Sequence, residues 1–406
     1  MKLVRENYLR MIRPYYEADL IKVITGVRRA GKSVILESIR EELSESGIAE
    51  DHMIYINLED LDYEAIQTAH DLDQEIRSRI TDQGRYYLFI DEIQHVDKFE
   101  KALASFRAAF NVSIFVTGSN SHLLSGELAT LLTGRTVEFE ILPFSYSEMH
   151  DYLILNGQMY RDELIYDYIK WGGFPLRLDF HDEATVQRYL ENLYAGIINR
   201  DILTKKSRLD RKIFMDIAMY ILSNAGKEFS AESIIEYYEK KNHRSISQRT
   251  IYNYIEKMKK AFLIHPVQKY DIIGKIALQS KQKFYAVDTG FRTIQTNTIN
   301  YEDTFFLENI VYNELLFQGF TVFTGKTHKG EVDFVAVRDG KKCFIQVAYL
   351  LAAQSTIERE FGAFRPIMDA SPKYVLSLDP FDLSRDGIAH MNILDFLLHK
   401  KTLALT

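Results

Sequence analysis

Residues 26–33 read Gly26-Val27-Arg28-Arg29-Ala30-Gly31-Lys32-Ser33, a complete G-x-x-x-x-G-K-[ST] pattern. This feature constrains the fold more than any other in the chain, because its chemistry works only between a strand and a helix. The two glycines let the backbone curl until successive N–H groups face one point. Lys32 then reaches the β- and γ-phosphates of a nucleotide, and the Ser33 hydroxyl ligates Mg2+. The flanks agree with that reading. Leu20 to Thr25 forms a short apolar run of the buried-strand kind, and Val34, Ile35, Leu36 and Ile39 recur as on a packed helix. Strand, loop and helix N-terminus make an anion site, with residues Gly26 through Val34 as the nucleotide cradle.

A second motif follows 59 residues after Lys32. Tyr86-Tyr87-Leu88-Phe89-Ile90 is an apolar strand ending in Asp91-Glu92. The first acid is placed to hold the Mg2+ shell and the second to polarise the water that attacks the γ-phosphate. The gap leaves room for a further strand, Met53 to Ile56, which Asn57-Leu58-Glu59-Asp60 closes. Ser113 to Thr117 is the next strand and ends in Gly118-Ser119-Asn120-Ser121. A small polar side chain there lies beside Asp91 in a parallel sheet, where it can bond the attacking water. Asn120 is the first choice and Ser119 the second, and Asn120 also suits a helix N-cap. Arg135 precedes the last core strand, Thr136 to Ile141. It is placed either to reach the γ-phosphate of a neighbouring copy or to form a surface salt bridge.

The bulk numbers bound the rest. A chain of 406 residues, 46% hydrophobic and 26% charged, is globular and too long for one ordinary core. Its net charge of -7 argues against wholesale coating of nucleic acid. A single cysteine, Cys343, excludes a disulfide framework and a cysteine-based zinc cluster, and points to a reducing cytoplasm. No uncharged apolar run approaches a membrane span, so no membrane partner is expected.

The order of phosphate loop, Asp-Glu strand, Ser-Asn strand and Gly134-Arg135 turn resembles the AAA+ class of P-loop ATPases. Ile90-Asp91-Glu92-Ile93-Gln94, Leu142-Pro143-Phe144-Ser145 and Gly172-Gly173-Phe174-Pro175 extend the likeness. It is to the bacterial and archaeal family of an AAA ATPase core followed by a DUF4143 region. The resemblance implies an α/β P-loop core, Mg2+-dependent ATP hydrolysis, ATP and ADP as ligands, and a homo-oligomer in which Arg135 acts in trans. It also implies a helical lid, with Pro175 and Arg177 candidates to contact the nucleotide, Pro175 being equally placed to serve the helix break alone.

Four segments are expected: the ATPase core over 1–145, the lid over 146–206, a winged helix over 207–290 and a nuclease-like α/β domain over 291–406. The winged helix rests on helices near Ile213–Leu222, after Ser230 and after Ser247, followed by two apolar runs flanking a polar turn. From Lys227 to Lys283 twelve basic residues face six acidic ones. A helix bearing Gln248, Arg249, Tyr252 and Asn253 near its start could enter a major groove, although such modules also bind proteins. In the last segment Glu308 and Asp333 resemble two acids of the PD-(D/E)xK nuclease fold. The triplet that should follow reads Gln346-Val347-Ala348. An acid has become an amide and the lysine is missing, so the expectation is a degenerate nuclease fold kept as scaffold or DNA contact.

Overall fold

A computed structural model describes residues 2–119, 132–158, 163–203, 209–242, 245–295, 304–328 and 330–405. The chain divides into two compact units: residues 2–142 with 260–262, and residues 143–259 with 263–406.

The first unit is built on five parallel strands, β1 (Ile21–Thr25), β2 (Met53–Asn57), β3 (Tyr86–Asp91), β4 (Val112–Thr117) and β5 (Thr136–Glu140), in the order β2-β3-β4-β1-β5. β1, β3 and β4 are buried along their whole length, which is why they read as largely apolar runs, and the buried Lys22 of β1 donates to Ser113 of β4 at 2.7 Å. Helices α1 (Glu6–Ile12), α2 (Lys32–Glu45), α3 (Ala69–Arg79) and α4 (Phe99–Ala109) complete the layers. Val23, Leu88, Ile90, Ile114 and Val116 pack with Leu103 and Phe106 in one core. Register fixes what meets what. Ile24 lies opposite Thr117 and Asn57 opposite Asp91, so the phosphate loop and the Asp91-Glu92 pair leave the sheet at the same edge. Ligands of open parallel sheets bind at that carboxyl edge. Thr136 lies opposite Ile21, which puts Arg135 at the other edge.

The second unit opens with α5 (Tyr146–Leu155), α6 (Leu164–Trp171), a 3-10 turn over Pro175–Asp179 and α7 (Glu183–Ile197). Gly172 has φ +71, and a Cβ there would stand 1.8 Å from Asp288 Oδ1. A Cβ at Gly173 would stand 2.0 Å from the Phe144 carbonyl oxygen. Asp288 accepts the Gly173 N–H at 2.6 Å and the Gly290 N–H at 2.8 Å. Both glycines are thus required by close packing within this unit.

Next come α8 (Arg211–Ser223), α9 (Ala231–Asn242), α10 (Gln248–Lys260) and the antiparallel pair β6 (Ile264–Asp271) and β7 (Ile276–Ala286). α11 (Thr289–Thr293), α12 (Thr304–Phe317), β8 (Thr321–Lys326), β9 (Glu331–Arg338), β10 (Lys341–Val347), α13 (Gln354–Gly362), β11 (Lys373–Ser377), β12 (Ala389–Asn392) and α14 (Ile393–Leu397) finish the chain. One mixed sheet runs β12-β11-β10-β9-β8-β6-β7. It crosses residue 290, so the segments expected as separate modules share a sheet through the parallel pairing of β6 with β8. Asp339 and Gly340 both have positive φ, as the two-residue β9–β10 turn demands. Among the described residues no helix is long and apolar enough to cross a membrane.

Candidate nucleotide site

The phosphate loop follows β1 directly. Gly26 has φ +134, and a Cβ on it would fall 2.2 Å from the Ile141 carbonyl oxygen, so only glycine fits. Gly31 is left-handed and serves as N-cap of α2, with no side-chain cap and no acid in the first helical turn. A helix start left in that state is suited to an anion. Lys32 is buried, and its Nζ donates to the carbonyls of Gly26 at 3.2 Å and Val27 at 3.4 Å, with Glu92 Oε1 4.0 Å away. Ser33 and Val34 continue the first turn half-buried. Arg28 pairs with Glu59 at 3.1 Å, whereas Arg29 is exposed with φ +69. Ala30 is held from below by a residue the sequence did not flag. The buried Arg5 guanidinium donates to the Ala30 carbonyl at 2.9 Å and lies 4.6 Å over the Tyr8 ring.

At the end of β3, Asp91 accepts the Tyr55 hydroxyl at 3.2 Å and a short hydrogen bond from the Thr117 hydroxyl. Burial, then the neighbouring Asp91 charge, raise the Tyr55 phenol well above its usual range and keep it a donor. Glu92 is left-handed, φ +55, a conformation that costs a non-glycine residue energy and clusters at functional sites. Its N–H donates to Thr117 Oγ1 at 2.8 Å, and the Gln94 amide donates a short hydrogen bond to its carboxylate. Thr117 thus bridges the Glu92 backbone and the Asp91 carboxylate at the end of β4, a contact that the sequence reading did not name. The signal was present: a polar residue ends an otherwise apolar strand, and that strand lies between β1 and β3. Ser119 is buried, and Asn120 lies outside the described residues.

The remaining candidates lie on other elements of the chain. Arg135 is exposed at the edge of the sheet opposite the phosphate loop, and its carbonyl accepts the Ile21 N–H at 2.8 Å. Pro175 and Arg177 belong to the second unit. The buried Arg177 guanidinium donates to the Gly172 carbonyl at 2.7 Å and to Asp167 at 2.9 Å, bracing the Gly172–Pro175 turn.

The donor set fits a nucleoside triphosphate with Mg2+. An uncapped helix start and a buried ammonium suit phosphate, and Ser33 and Asp91 supply the hard oxygen ligands that Mg2+ prefers. Among the described residues no group of three or more His, Cys, Asp or Glu converges as a metal cage. Mg2+ here would share its shell with phosphate oxygens and water, as it usually does.

In the second unit, buried Glu308 accepts a short hydrogen bond from the Tyr285 hydroxyl and the Lys283 ammonium at 3.4 Å. Lys283 also reaches Glu331 at 3.7 Å. Asp333 accepts the Val347 N–H at 2.8 Å, and its own N–H donates to Gln346 at 3.2 Å. Burial, then Glu308, push the Asp333 carboxyl well above its usual range; burial raises Glu308 against the pull of Lys283. The two expected acids and Gln346 do come together. A lysine from β7, unmarked in the sequence, stands among them.

Residues 18–150 match the AAA domain family. Residues 162–300 match a domain of unknown function, DUF8612, which is a different domain from the DUF4143 region that the resemblance implies. An uncharacterized protein of Haemophilus influenzae is 34% identical over 399 residues, covering 97% of this chain and 98% of its own length. Another, from Methanocaldococcus jannaschii, is 32% identical over 358 residues, covering 85% of this chain and 78% of its own. The Walker-type ATPase of Pyrococcus abyssi, 17% identical, superimposes with a TM-score of 0.52 over 72% of this chain and 96% of that one, a likeness of fold. On the phosphate loop, the parallel sheet and these matches, the chain belongs to the family of the Haemophilus influenzae protein and carries an AAA domain of the P-loop ATPase type over residues 18–150.

Proposed function

We propose that the protein binds ATP with Mg2+, hydrolyses it, and uses nucleotide state to drive DNA-associated remodelling. The observation that carries the enzymatic part is the meeting of Lys32, Asp91, Glu92 and Thr117 at one edge of the parallel sheet. Lys32 counters phosphate charge, Ser33 and Asp91 hold the metal, and Glu92 polarises the attacking water. Mg2+, when bound, neutralises charge developing on the phosphate oxygens. Asn120 reads the γ-phosphate, and Arg135, at the far edge of its own sheet, acts on the site of a neighbouring copy. The DNA part rests on the basic excess between Lys227 and Lys283 and on the exposed Arg249 and Asn253 of α10. It also rests on reading α8–α10 with β6–β7 as a winged helix joined to a DUF4143-type, nuclease-like sheet that lacks cleavage activity. The buried free thiol of Cys343 agrees with a cytoplasmic setting.

ATP turnover with and without duplex, single-stranded and branched DNA tests this. Lys32→Ala should abolish turnover, and Glu92→Gln should lower it by roughly a hundredfold or more while nucleotide still binds. Unchanged turnover in Lys32→Ala would sink the site assignment. Turnover indifferent to every DNA form favours a second reading, a slow nucleotide-gated switch acting on a protein partner. One observation supports that reading: among the described residues, three glutamates and no basic residue line the groove between α9 and α10.

A further inference from the structure

A groove of about 640 Å3 opens between the start of α9, the outer face of α10 and β7. Its floor is aromatic. Phe229 meets Phe284 edge-on at 5.1 Å and Tyr252 edge-on at 6.0 Å, and Tyr252 is 52% exposed. Glu228, Glu232 and Glu256 stand around it, and among the described residues none that lines it is basic. Two of these carboxylates have a lysine partner at the rim, Glu256 with Lys259 at 2.6 Å and Glu228 with Lys269, which leaves Glu232 as the carboxylate with neutral neighbours among the described residues. Lys241 pairs with Asp216 at 2.7 Å, Lys269 divides its ammonium between Glu331 at 2.5 Å and Glu228 at 3.3 Å, and Lys283 is buried against Glu308. Among the described contacts Glu232 has only neutral partners, Ser230 at 2.9 Å and Gln248 at 2.7 Å. Hydrogen bonds from its own N–H, Ser230 and Gln248 hold its carboxyl below the usual range, so it stays charged. Gln248, at the start of the helix expected to read a major groove, is thereby tied to a carboxylate.

Aromatic faces attract cations, and carboxylates around them add charge complementarity while repelling phosphate. We propose that this groove docks a protein partner by receiving an arginine or lysine side chain on the Phe229–Tyr252 rings, within reach of Glu228, Glu232 and Glu256. The inference deepens the protein-directed reading and stands apart from the ATPase assignment.

The test uses the full chain and a fluorescein-labelled peptide with one central arginine between leucines, followed by fluorescence anisotropy. The same peptide with citrulline, which keeps the shape and loses the charge, should bind about tenfold more weakly. Tyr252→Ala should weaken arginine-peptide binding by about fivefold, the size of one exposed cation–π contact, and Tyr252→Phe should keep it. The Glu232→Gln/Glu256→Gln double variant should weaken it similarly, with basal ATP turnover unchanged. Lys32→Ala should leave peptide binding intact, so loss of ATPase activity and loss of docking are separable. Equal binding of the arginine and citrulline peptides would overturn the proposal. So would a double variant that binds labelled duplex DNA more tightly with peptide affinity unchanged, which would assign the face to nucleic acid. Loss of self-association in Tyr252→Ala, with peptide binding unaltered, would assign it to a second copy and overturn the proposal equally.

Discussion

At Thr117 a single hydroxyl accepts the Glu92 N–H and donates to the Asp91 carboxylate, so the two acids of the site share one clamp. Thr117→Val keeps the shape and removes both bonds. The expected outcome is a stability loss of about 1–3 kcal/mol from the stranded N–H, measured by urea unfolding. Turnover should fall about tenfold or more while nucleotide affinity holds, because Glu92 loses the bond that fixes its backbone; Thr117→Ser should restore both. Not every suggestive cluster is a site. Ser377, His390 and Asp379 form a hydrogen-bonded row, with Ser377 Oγ 2.8 Å from His390 Nε2 and 2.7 Å from Asp379. The Leu383 N–H donates to His390 Nδ1 at 3.3 Å, so the ring proton sits on Nε2 and points at the serine. That polarity is the reverse of an activated nucleophile, and Ser377 is fully buried.

Among the elements, the Gly172–Pro175 turn shows what a sequence motif can hide. It was expected to break two helices and to offer contacts to a nucleotide. The break is there, but its reason is the Asp288 carboxylate more than a hundred residues away, which the turn admits only because it is glycine. Burial raises the Asp288 carboxyl to about 6 against the opposing pull of two N–H donors. A folded-state value above the unfolded one makes the residue's contribution greatest in acid, and that contribution is lost as pH rises through about 6. Relative to Asp288→Asn, which does not titrate, the wild type should lose about 2 kcal/mol between about pH 4 and about pH 7.5, read from urea midpoints. The core strands were legible because burial on both faces leaves continuous apolar runs bounded by glycine and acids. Lys283 and Arg5 were not, because nothing local marks a charged residue whose partner comes from a distant segment. The same holds for Gln248, whose tie to Glu232 depends on how α9 and α10 pack.

For the whole molecule, the position of Arg135 decides how activity depends on assembly. Arg135 lies at the edge of the sheet opposite its own phosphate loop, so the proposed role at a neighbouring copy's site has a direct test. Arg135→Ala and Lys32→Ala chains should each be inactive alone. Mixed in equal amounts, they should regain about a quarter to a half of wild-type turnover, since an Arg135→Ala site facing a Lys32→Ala neighbour has both groups. No recovery across a range of protein concentrations would return Arg135 to the surface salt bridge that the sequence also allowed. The shared seven-stranded sheet has a consequence for the growing chain. The β6–β7 hairpin ends at Ala286 and β8, the parallel partner of β6, ends at Lys326, so the finished hairpin has the β6 edge open with about 40 residues still to be made. At ordinary synthesis rates that edge waits about 2–8 s for its neighbour. During that interval it is a ready template for another nascent chain, and it is the point in biogenesis where a chaperone would have the most to shield.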